Sequence, residues 1–207
     1  MMVDVVDLGM GNVHSVANAV ARLNVQANLV TEADKLKADT IIVPGVGAAG
    51  PYMDELRKRN FDAALLDAAD QGKKIIGICL GFQILAQSSE ENGGTETLGL
   101  LQASVEKLRD GNSHNGWETQ QLDKESVDLH SSCQYGGLTR KRKLAGRVFY
   151  NHEYGFLCRE PKALNVAIAN PRWSTYSAMV IKDNIIGIQF HPEKSQSTGL
   201  ELFRFIL

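Results

Sequence analysis

The amino-acid sequence predicts one α/β domain with a mostly parallel central sheet flanked by helices and an antiparallel extension in its second half. Two patterns lead to this prediction. In the first half, short apolar runs alternate with stretches whose apolar residues recur at helical spacing, as in parallel sheets covered by helices on both faces. In the second half, short strand-like runs follow one another across turn residues, which is typical of an antiparallel meander.

Length, charge and cysteine usage restrict the function. The chain has 207 residues and a formal net charge of −2, which suits a single domain over residues 1–207 and gives no basic surface for nucleic acid. No apolar run is long enough to cross a membrane, and the N-terminus lacks a signal-peptide pattern. Cys79, Cys133 and Cys158 have neither disulfide-framework nor metal-site spacing. We therefore expect a reduced, cytoplasmic protein without a metal, nucleic-acid or membrane partner.

The first half of the chain opens with a strand–turn–helix pattern. Residues 3–8 form an apolar run that ends in Gly9-Met-Gly11-Asn12, and residues 13–23 place apolar side chains on one helical face. The turn carries only part of a dinucleotide-binding pattern, because the third glycine is missing, so we expect no cofactor. Two further strands are predicted over residues 27–31 and 40–43.

A helix, a buried strand and a second helix complete the first half. Pro51 suits the first turn of a helix, and an apolar stripe continues from Met53 towards Gly72, which predicts one helix over this stretch. Residues 74–78 form an apolar run rich in β-branched residues. Helical spacing then continues as far as Ser88, which predicts a helix directly after that strand.

The second half is predicted to contain short strands and a final helix. The predicted strands cover residues 101–108, 147–149, 165–169, 177–181 and 185–190, and the helix covers residues 199–207. Residues 110–143 give no clear pattern. The basic run from Arg140 to Lys143 fits a solvated loop better than an anion or partner site.

The sequence around Cys79 is the first signal of catalytic chemistry. Gly77 and Gly81 stand two residues on either side of the thiol, at the junction of a predicted strand and helix. A turn this sharp has no room for flanking side chains, and the helix directs N–H groups and its positive dipole end at the sulfur, which favours the thiolate. A buried structural cysteine would give the same pattern, so the choice depends on finding a base.

His191-Pro192-Glu193 supplies a candidate base and its orienting carboxylate. The proline favours extended geometry at His191, and residues two apart in an extended segment face the same way. Glu193 can therefore hold one ring nitrogen and leave the other for a thiol, as in a nucleophilic triad. A strand exit with a surface ion pair is the alternative, which the cysteine elbow in the same chain makes less favourable.

Pro44-Gly-Val-Gly47 is a candidate oxyanion site. Glycines on both sides of Val46 let its peptide reorient at low steric cost, so its N–H can point at a developing negative charge. The N–H of Leu80, the residue after the thiol, would be the second donor. An ordinary tight turn would explain the same residues. Because neighbouring parallel strands end at one edge of a sheet, we expect this turn, the 9–12 turn and Cys79 to lie together.

These motifs resemble those of the class I, triad-type glutamine amidotransferases, which have a flavodoxin-like fold. Gly77-Ile-Cys-Leu-Gly-Phe-Gln83 and His191-Pro-Glu193 carry that resemblance. Further motifs make the chain similar to the glutaminase subunits of imidazole glycerol phosphate synthases. They are Asp7-Leu-Gly-Met-Gly-Asn12, Pro44-Gly-Val-Gly47, Ser88-Ser-Glu-Glu91, Gly116-Trp117 and His191-Pro-Glu-Lys-Ser195.

The resemblance implies a glutaminase with Cys79, His191 and Glu193 as its triad. The thiolate would attack the side-chain amide of glutamine, and His191 would protonate the departing ammonia and then activate water. Glu193 would orient His191. The resemblance also assigns the remaining contacts of the site. The N–H groups of Val46 and Leu80 would hold the oxyanion, and Gln83 and the backbone at Gly47 would help to bind glutamine.

The same resemblance implies a partner. Asn12, Trp117 and Lys194 match positions that face a (β/α)8-barrel synthase, which would receive the ammonia and make imidazole glycerol phosphate and AICAR in histidine biosynthesis. Glutaminases of this kind are nearly idle until the partner and its nucleotide substrate bind. The glycine-flanked oxyanion turn is a candidate switch for that activation.

Some residues depart from the family pattern and leave alternatives open. They are Phe82 in place of methionine, Ser113-His-Asn-Gly-Trp-Glu118, His152-Glu-Tyr154, and residues 120–147, which are hard to align. None touches the triad, but several fall on the far wall of the glutamine pocket or on the partner face, so they bear on the identity of the partner more than on the chemistry. The alternative is a paralogous subunit that supplies ammonia to amidate a bacterial surface sugar. A cysteine peptidase and a catalytically silent subunit are further hypotheses. Gln83 and the partner-face motifs weigh against the first, and the complete triad weighs against the second.

Overall fold

The structure, a computed structural model, describes residues 1–109, 113–122 and 144–207. In chain order the strands are β1 (Met2–Val6), β2 (Gln26–Val30), β3 (Thr40–Gly45), β4 (Lys74–Cys79), β5 (Ser88–Ser89), β6 (Thr95–Glu96), β7 (Ala103–Lys107), β8 (His114–Leu122), β9 (Leu144–His152), β10 (Tyr154–Cys158), β11 (Val166–Ala169), β12 (Ser177–Lys182) and β13 (Ile185–Ile188). The α-helices are α1 (Val13–Ala21), α2 (Ala49–Lys58), α3 (Phe61–Asp70), α4 (Leu80–Gln83) and α5 (Gln196–Ile206).

The main sheet is parallel on one side and antiparallel on the other. β2, β1, β3, β4 and β13 lie side by side and run parallel. β12, β10 and β7 continue the sheet with antiparallel pairings, and β11 pairs with β12. The predicted fold class is therefore confirmed. β8 and β9 form a separate antiparallel hairpin sheet rather than part of this extension.

Helices cover the parallel strands on both faces, which explains their continuous apolar sequences. On one face, Ile42 and Ile76 belong to the buried cluster that contains residues of α1 and α5. On the other face, Ile41 and Ile75 belong to the cluster that contains residues of α2 and α3. Strands β3 and β4 are buried on both sides, and their ends carry the residues of the candidate site.

The single helix predicted from Pro51 to Gly72 is wrong, because the structure has two helices there. Helix α2 begins at Ala49 and ends at Lys58, and α3 begins at Phe61. Asn60 lies between them with φ 58°, a left-handed conformation that asparagine tolerates better than most residues. The apolar stripe continues through both helices, so the pattern alone does not reveal the break.

The helix predicted from the elbow to Ser88 is also wrong in length. Helix α4 contains only Leu80–Gln83. The N–H groups of Leu98, Gly99 and Leu101 donate to the carbonyl oxygens of Ile84, Ala86 and Leu85, respectively. A later segment therefore takes the carbonyl groups that a longer helix would have used for its own hydrogen bonds.

Several strands of the second half were not predicted, namely β5, β6, β8 and β10. The run at residues 147–149 is part of the nine-residue strand β9. The basic run at residues 140–143 and Cys133 lie outside the described residues. Within residues 1–109, 113–122 and 144–207, none of the helices combines the length and apolar character needed to span a membrane.

Candidate active site

Cys79 stands at the apex of a strained turn between β4 and α4. Its backbone angles are φ 54° and ψ −109°, and a positive φ is uncommon for a residue with a side chain. A Cβ on Gly77 would overlap the carbonyl oxygen of Gly81, and a Cβ on Gly81 would overlap that of Val43. The expectation that close packing requires both flanking glycines is confirmed.

The side chains of His191 and Glu193 lie together just beyond β13. His191 Nδ1 is 2.8 Å from Glu193 Oε1, and the two side chains are only 3 % and 1 % exposed. β13 runs parallel to β4 with Ile188 opposite Ile78. The two strands therefore end at the same edge of the sheet and deliver His191 and Cys79 to the same site.

Hydrogen bonds to the backbone fix the position of His191. Its N–H donates to the carbonyl oxygen of Phe149 at 2.8 Å. The hydroxyl of Ser195 donates to the carbonyl oxygen of His191 at 2.6 Å and accepts from the N–H of Phe149 at 3.1 Å. Ser195 thus ties strand β9 to the turn that carries the imidazole.

Charge couples His191 to Cys79. Burial on its own lowers the pKa of His191, but the negative charge on the Cys79 thiolate and the Glu193 carboxylate outweigh burial and raise that pKa to about 10. His191 Nε2 is buried and makes no hydrogen bond within normal distance and angle limits among the described residues. Protonated imidazole beside a thiolate is the charge state of an activated cysteine.

Cys79 opens into a cavity of about 260 Å³. The cavity is lined by Val46, Gly47, Cys79, Leu80, Gln83, Glu91, Asn151, His152, Glu153 and Tyr154. The cavity wall therefore contains every residue that was predicted to be an oxyanion donor or a glutamine contact. The remaining lining residues, apart from Cys79 itself, were not predicted as site residues. Residues 151 and 152 end β9, residue 153 connects the two strands and residue 154 begins β10. Polar residues around such a turn give no distinctive signal.

Gln83 lines the cavity with its side-chain amide already engaged. Its Nε2 donates to the carbonyl oxygen of Tyr154 at 2.7 Å and to Oε1 of Gln189 at 3.2 Å. Gln189 Nε2 lies 4.0 Å from the sulfur of Cys79. Gln83 therefore connects the elbow to the opposite wall of the cavity and fixes its width.

The two expected oxyanion donors do not converge in this conformation. The N–H of Val46 donates to the carbonyl oxygen of Met10 at 3.1 Å. Gly47 has φ +100°, a backbone conformation that glycine adopts without strain because it has no side chain. Leu80 is the first residue of α4, where an N–H has no acceptor within its own helix.

Glu91 is a carboxylate of the cavity wall that also caps a helix. Its Oε2 accepts from the N–H of Ala49, the first residue of α2, at 2.7 Å. Burial raises the pKa of Glu91, the Ala49 N–H lowers it, and the charge of Glu153 raises it again, with a net upward shift. In the sequence Glu91 is the last residue of the motif Ser88-Ser-Glu-Glu91, which carries part of the family resemblance but gives Glu91 no role in binding.

Two buried histidines lie next to each other at the cavity, and one of them, His152, belongs to its wall. The rings of His114 and His152 are 5.1 Å apart, and His152 Nδ1 is 2.7 Å from the carbonyl oxygen of Tyr154. Burial lowers the pKa of His114 to about 4 and that of His152 to about 3. At these pKa values both rings are neutral at pH 7, in contrast to His191, whose pKa is raised.

The structure brings Trp117 and Lys194 together on the surface. The ring of Phe149 lies 5.7 Å from that of Trp117 and 5.6 Å from Lys194 Nζ. Trp117 is 36 % exposed. Asn12 precedes α1, which contacts the turn Pro192–Lys194. Within the described ranges, no group of three or more His, Cys, Asp or Glu side chains is arranged to hold a metal.

The chain matches a known family over almost its entire length. The family model described as "Glutamine amidotransferase class-I" matches residues 4–206. The imidazole glycerol phosphate synthase subunit HisH of Oceanobacillus iheyensis is 35 % identical over 207 residues, with 98 % of this chain and 96 % of the relative covered. The subunit of the same name from Bacillus subtilis is 35 % identical over 211 residues, with 97 % and 93 % covered.

Solved structures support the same fold. PurLQS from Thermotoga maritima superposes with a TM-score of 0.74 at 20 % identity, covering 99 % of this chain and 96 % of that one. A structure described as a glutamine amidotransferase gives a TM-score of 0.71 at 20 % identity, with 99 % and 97 % covered. At this identity the likeness concerns the architecture alone.

Proposed function

The chain belongs to the class I glutamine amidotransferase family, and from this premise we propose that it is the glutaminase subunit of an imidazole glycerol phosphate synthase. Relatives that are 35 % identical over nearly the whole chain carry that name. The observation that carries the chemistry is the position of Cys79 at a strained elbow beside the buried His191–Glu193 pair. Membership of this family sets aside the cysteine peptidase hypothesis.

In the proposed reaction the Cys79 thiolate attacks the side-chain amide carbon of glutamine. A carbon–sulfur bond forms, the carbon–nitrogen bond breaks, and His191 gives its proton to the departing ammonia. The neutral imidazole then removes a proton from water, and the resulting hydroxide attacks the thioester. Glutamate leaves, the thiolate is restored, and Glu193 holds Nδ1 of the ring throughout at 2.8 Å.

The cavity supplies contacts for glutamine. Glu91 offers a carboxylate for the α-ammonium group, and Gln83 and the backbone at Gly47 line the same wall. Glu91 is held in place by the N–H of Ala49, and Gln83 by its hydrogen bonds to Tyr154 and Gln189. A preformed wall of this kind reduces the ordering cost of binding a small polar substrate.

The proposed oxyanion donors are the N–H groups of Val46 and Leu80. Because the Val46 N–H donates to Met10, the Gly45–Val46 peptide has to rotate before both donors can reach one oxyanion. Donors of this type stabilise the transition state only when they are aligned in advance. This supports low turnover until a partner favours the rotated arrangement.

A (β/α)8-barrel synthase subunit is the proposed partner, and it would take the ammonia for histidine biosynthesis. The partner surface would include Asn12, Trp117 and Lys194. An exposed tryptophan beside cationic side chains suits a binding hot spot, and Arg147 lies 5.5 Å from the Trp117 ring. The backbone pairing of Phe149 with His191 would connect this surface directly to the triad.

The test is glutamate release from glutamine, with an imidazole glycerol phosphate synthase barrel and its nucleotide substrate present or withheld. Strong stimulation by the complete mixture, abolished by Cys79→Ala, is the expected result. Hydrolysis that does not respond to the barrel would refute the pathway and favour the sugar-amidating alternative. Hydrolysis that persists in Cys79→Ala would refute the triad mechanism.

A further inference from the structure

Tyr52 places a buried hydroxyl directly beneath the candidate oxyanion turn. The side chain is 1 % exposed, and its hydroxyl donates to the carbonyl oxygen of Pro44 at 2.6 Å. Burial raises the pKa of Tyr52 far above its usual value, so the group is a permanent donor. This hydrogen bond plays no part in the chemistry described above.

The Tyr52–Pro44 hydrogen bond joins the two ends of the turn. Pro44 is in the last part of β3, and Tyr52 is in α2, which begins after the turn. The ring also packs beneath Gly45, where an added Cβ would lie 3.0 Å from Tyr52 Cε2. Tyr52, from the helix that follows the turn, therefore fixes the end of β3 where the turn begins.

The other end of the turn is fixed as well. The N–H of Ala49 donates to Glu91 at 2.7 Å. Between these two anchors, the Val46 side chain is 38 % exposed, and the Val46 N–H is held by its hydrogen bond to Met10. The Gly45–Val46 peptide is thus the part of the turn that can rotate without breaking either anchor.

We propose that Tyr52 is a positioning residue that holds the Pro44 carbonyl group still while the Gly45–Val46 peptide turns its N–H from Met10 towards the cavity. This rests on the proposed function, which assigns that N–H to the oxyanion. Without the hydroxyl, the Pro44 oxygen is a buried acceptor that has lost its partner. The Pro44–Gly45 peptide can then move together with its neighbour, and the N–H is aimed less accurately at the oxyanion.

The first test is Tyr52→Phe, which removes one oxygen atom. We expect kcat at full stimulation to fall about tenfold, less than the 10²–10³-fold that follows complete loss of an oxyanion donor. KM should change less than twofold, because the lost interaction belongs to the transition state. The matched control is Tyr176→Phe, since Tyr176 is 3 % exposed and its hydroxyl donates to the carbonyl oxygen of Lys107 at 3.1 Å. Both variants should lower Tm by a similar amount, but Tyr176→Phe should leave kcat unchanged.

A second measurement separates alignment of the turn from damage to the thiol. A glutamine-analogue chloromethyl ketone labels cysteine through a tetrahedral oxyanion. In the reaction with iodoacetamide the thiolate displaces iodide directly, and no oxyanion forms. We expect Tyr52→Phe to slow labelling of Cys79 by the ketone about tenfold relative to iodoacetamide, in line with partial loss of oxyanion stabilisation. The ratio of the two rates cancels differences in the amount of folded protein.

Two outcomes would overturn the role of Tyr52. One is a variant whose kcat and ketone labelling stay within twofold of wild type. The other is a variant in which both reagents slow equally, since that would place the defect at the thiol. A wild-type chain that releases no glutamate under any condition would instead refute the proposed function, and the two failures are therefore distinguishable.

Discussion

His191 Nδ1 and Glu193 Oε1 are 2.8 Å apart, and neither side chain is accessible to water beyond a few per cent. A charged hydrogen bond this deeply buried is stronger than a surface pair, and removing one partner leaves the other uncompensated. Glu193 Oε2 has no partner among the described residues. Among the described residues, the hydrogen bond of the Glu193 carboxylate is therefore to the imidazole. Its charge and that of Cys79 both raise the pKa of His191.

Glu193→Gln keeps the shape of the side chain and removes its charge. We expect the glutaminase kcat to fall about 10²-fold, the lower end of what a positioned acid–base group contributes. Because the pKa of His191 is about 10, we expect an alkaline limit of kcat/KM near that pH in the wild type, and we expect it to move to lower pH in Glu193→Gln. The pH–rate profile measures both effects. Glu201→Gln, on the exposed surface of α5, is the control, and a Glu193→Gln profile that coincides with wild type would contradict this account.

The buried neutral histidines, His114 and His152, predict a loss of stability in acid. Burial holds the pKa of His114 near 4 and that of His152 near 3, whereas both take up protons near pH 6.5 in the unfolded chain. The unfolded state thus binds more protons between pH 6.5 and about 4, so the free energy of unfolding should fall as pH falls through this range. His191 acts in the opposite sense, because its raised pKa stabilises the fold below pH 6.5 and that contribution is lost as pH rises towards about 10.

The acid effect is checked by urea unfolding of His114→Gln at several pH values. Removing one buried neutral histidine should reduce the slope of stability against pH by up to about 1.4 kcal/mol per pH unit between pH 6.5 and 4.5. His14→Gln, on the exposed face of α1, controls for the loss of a histidine. An unchanged slope in His114→Gln would show that His114 is already protonated in the folded chain.

Gly81→Ala should prevent the elbow from closing. An added Cβ would overlap the carbonyl oxygen of Val43, which is backbone in the most deeply buried part of the sheet and cannot move away cheaply. We expect the free energy of unfolding to fall by more than about 3 kcal/mol, which exceeds the usual cost of overpacking. An insoluble protein would be the extreme form of the same result. Gly50→Ala in α2 is the control, because its Cβ would lie 3.5 Å from the nearest atom and alanine favours a helix. Equal stability of the two variants would contradict the packing argument.

The sequence predicts the elbow and the buried strands around it because both depend on local rules. Glycines at 77 and 81 are demanded by contacts within a few residues of Cys79 and with the adjacent strand, and buried parallel strands are visible as apolar runs. The extent of α4 could not be predicted, since residues 98–101 compete for the carbonyl groups of residues 84–86. Such competition depends on contacts between segments that are distant in the sequence.

The same distinction applies to the candidate site. His191 and Glu193 were found because an X-Pro-Glu sequence has a local geometric meaning. The conformation of Val46 was not predictable, because its N–H is held by Met10 from another turn. Glu153 was missed as a cavity residue because nothing in the neighbouring sequence indicates that it lines the cavity.

Glu153→Gln tests the electrostatics of this wall. Glu91 and Glu153 both line the cavity, and Glu153 is close enough to help raise the pKa of Glu91. Glutamine carries a carboxylate as well as an ammonium group, and no lysine or arginine is among the described residues that line the cavity. Glu91 remains to bind the ammonium group of glutamine in this variant. Neutralising Glu153 should therefore reduce the repulsion of the substrate's own carboxylate. We expect KM for glutamine to fall about two- to threefold at low salt, a modest effect because Glu153 is exposed and its charge is screened.

Salt dependence and a substrate comparison decide whether that effect is electrostatic. The advantage of Glu153→Gln should vanish at about 0.5 M salt, where screening acts over a few ångströms. It should also be absent with glutaminamide, whose uncharged end has no carboxylate to repel, so the ratio of KM values for the two substrates isolates the carboxylate. Glu201→Gln, far along α5, should leave both KM values unchanged. A rise in KM for glutamine in Glu153→Gln would mean that Glu153, rather than Glu91 alone, binds the ammonium group.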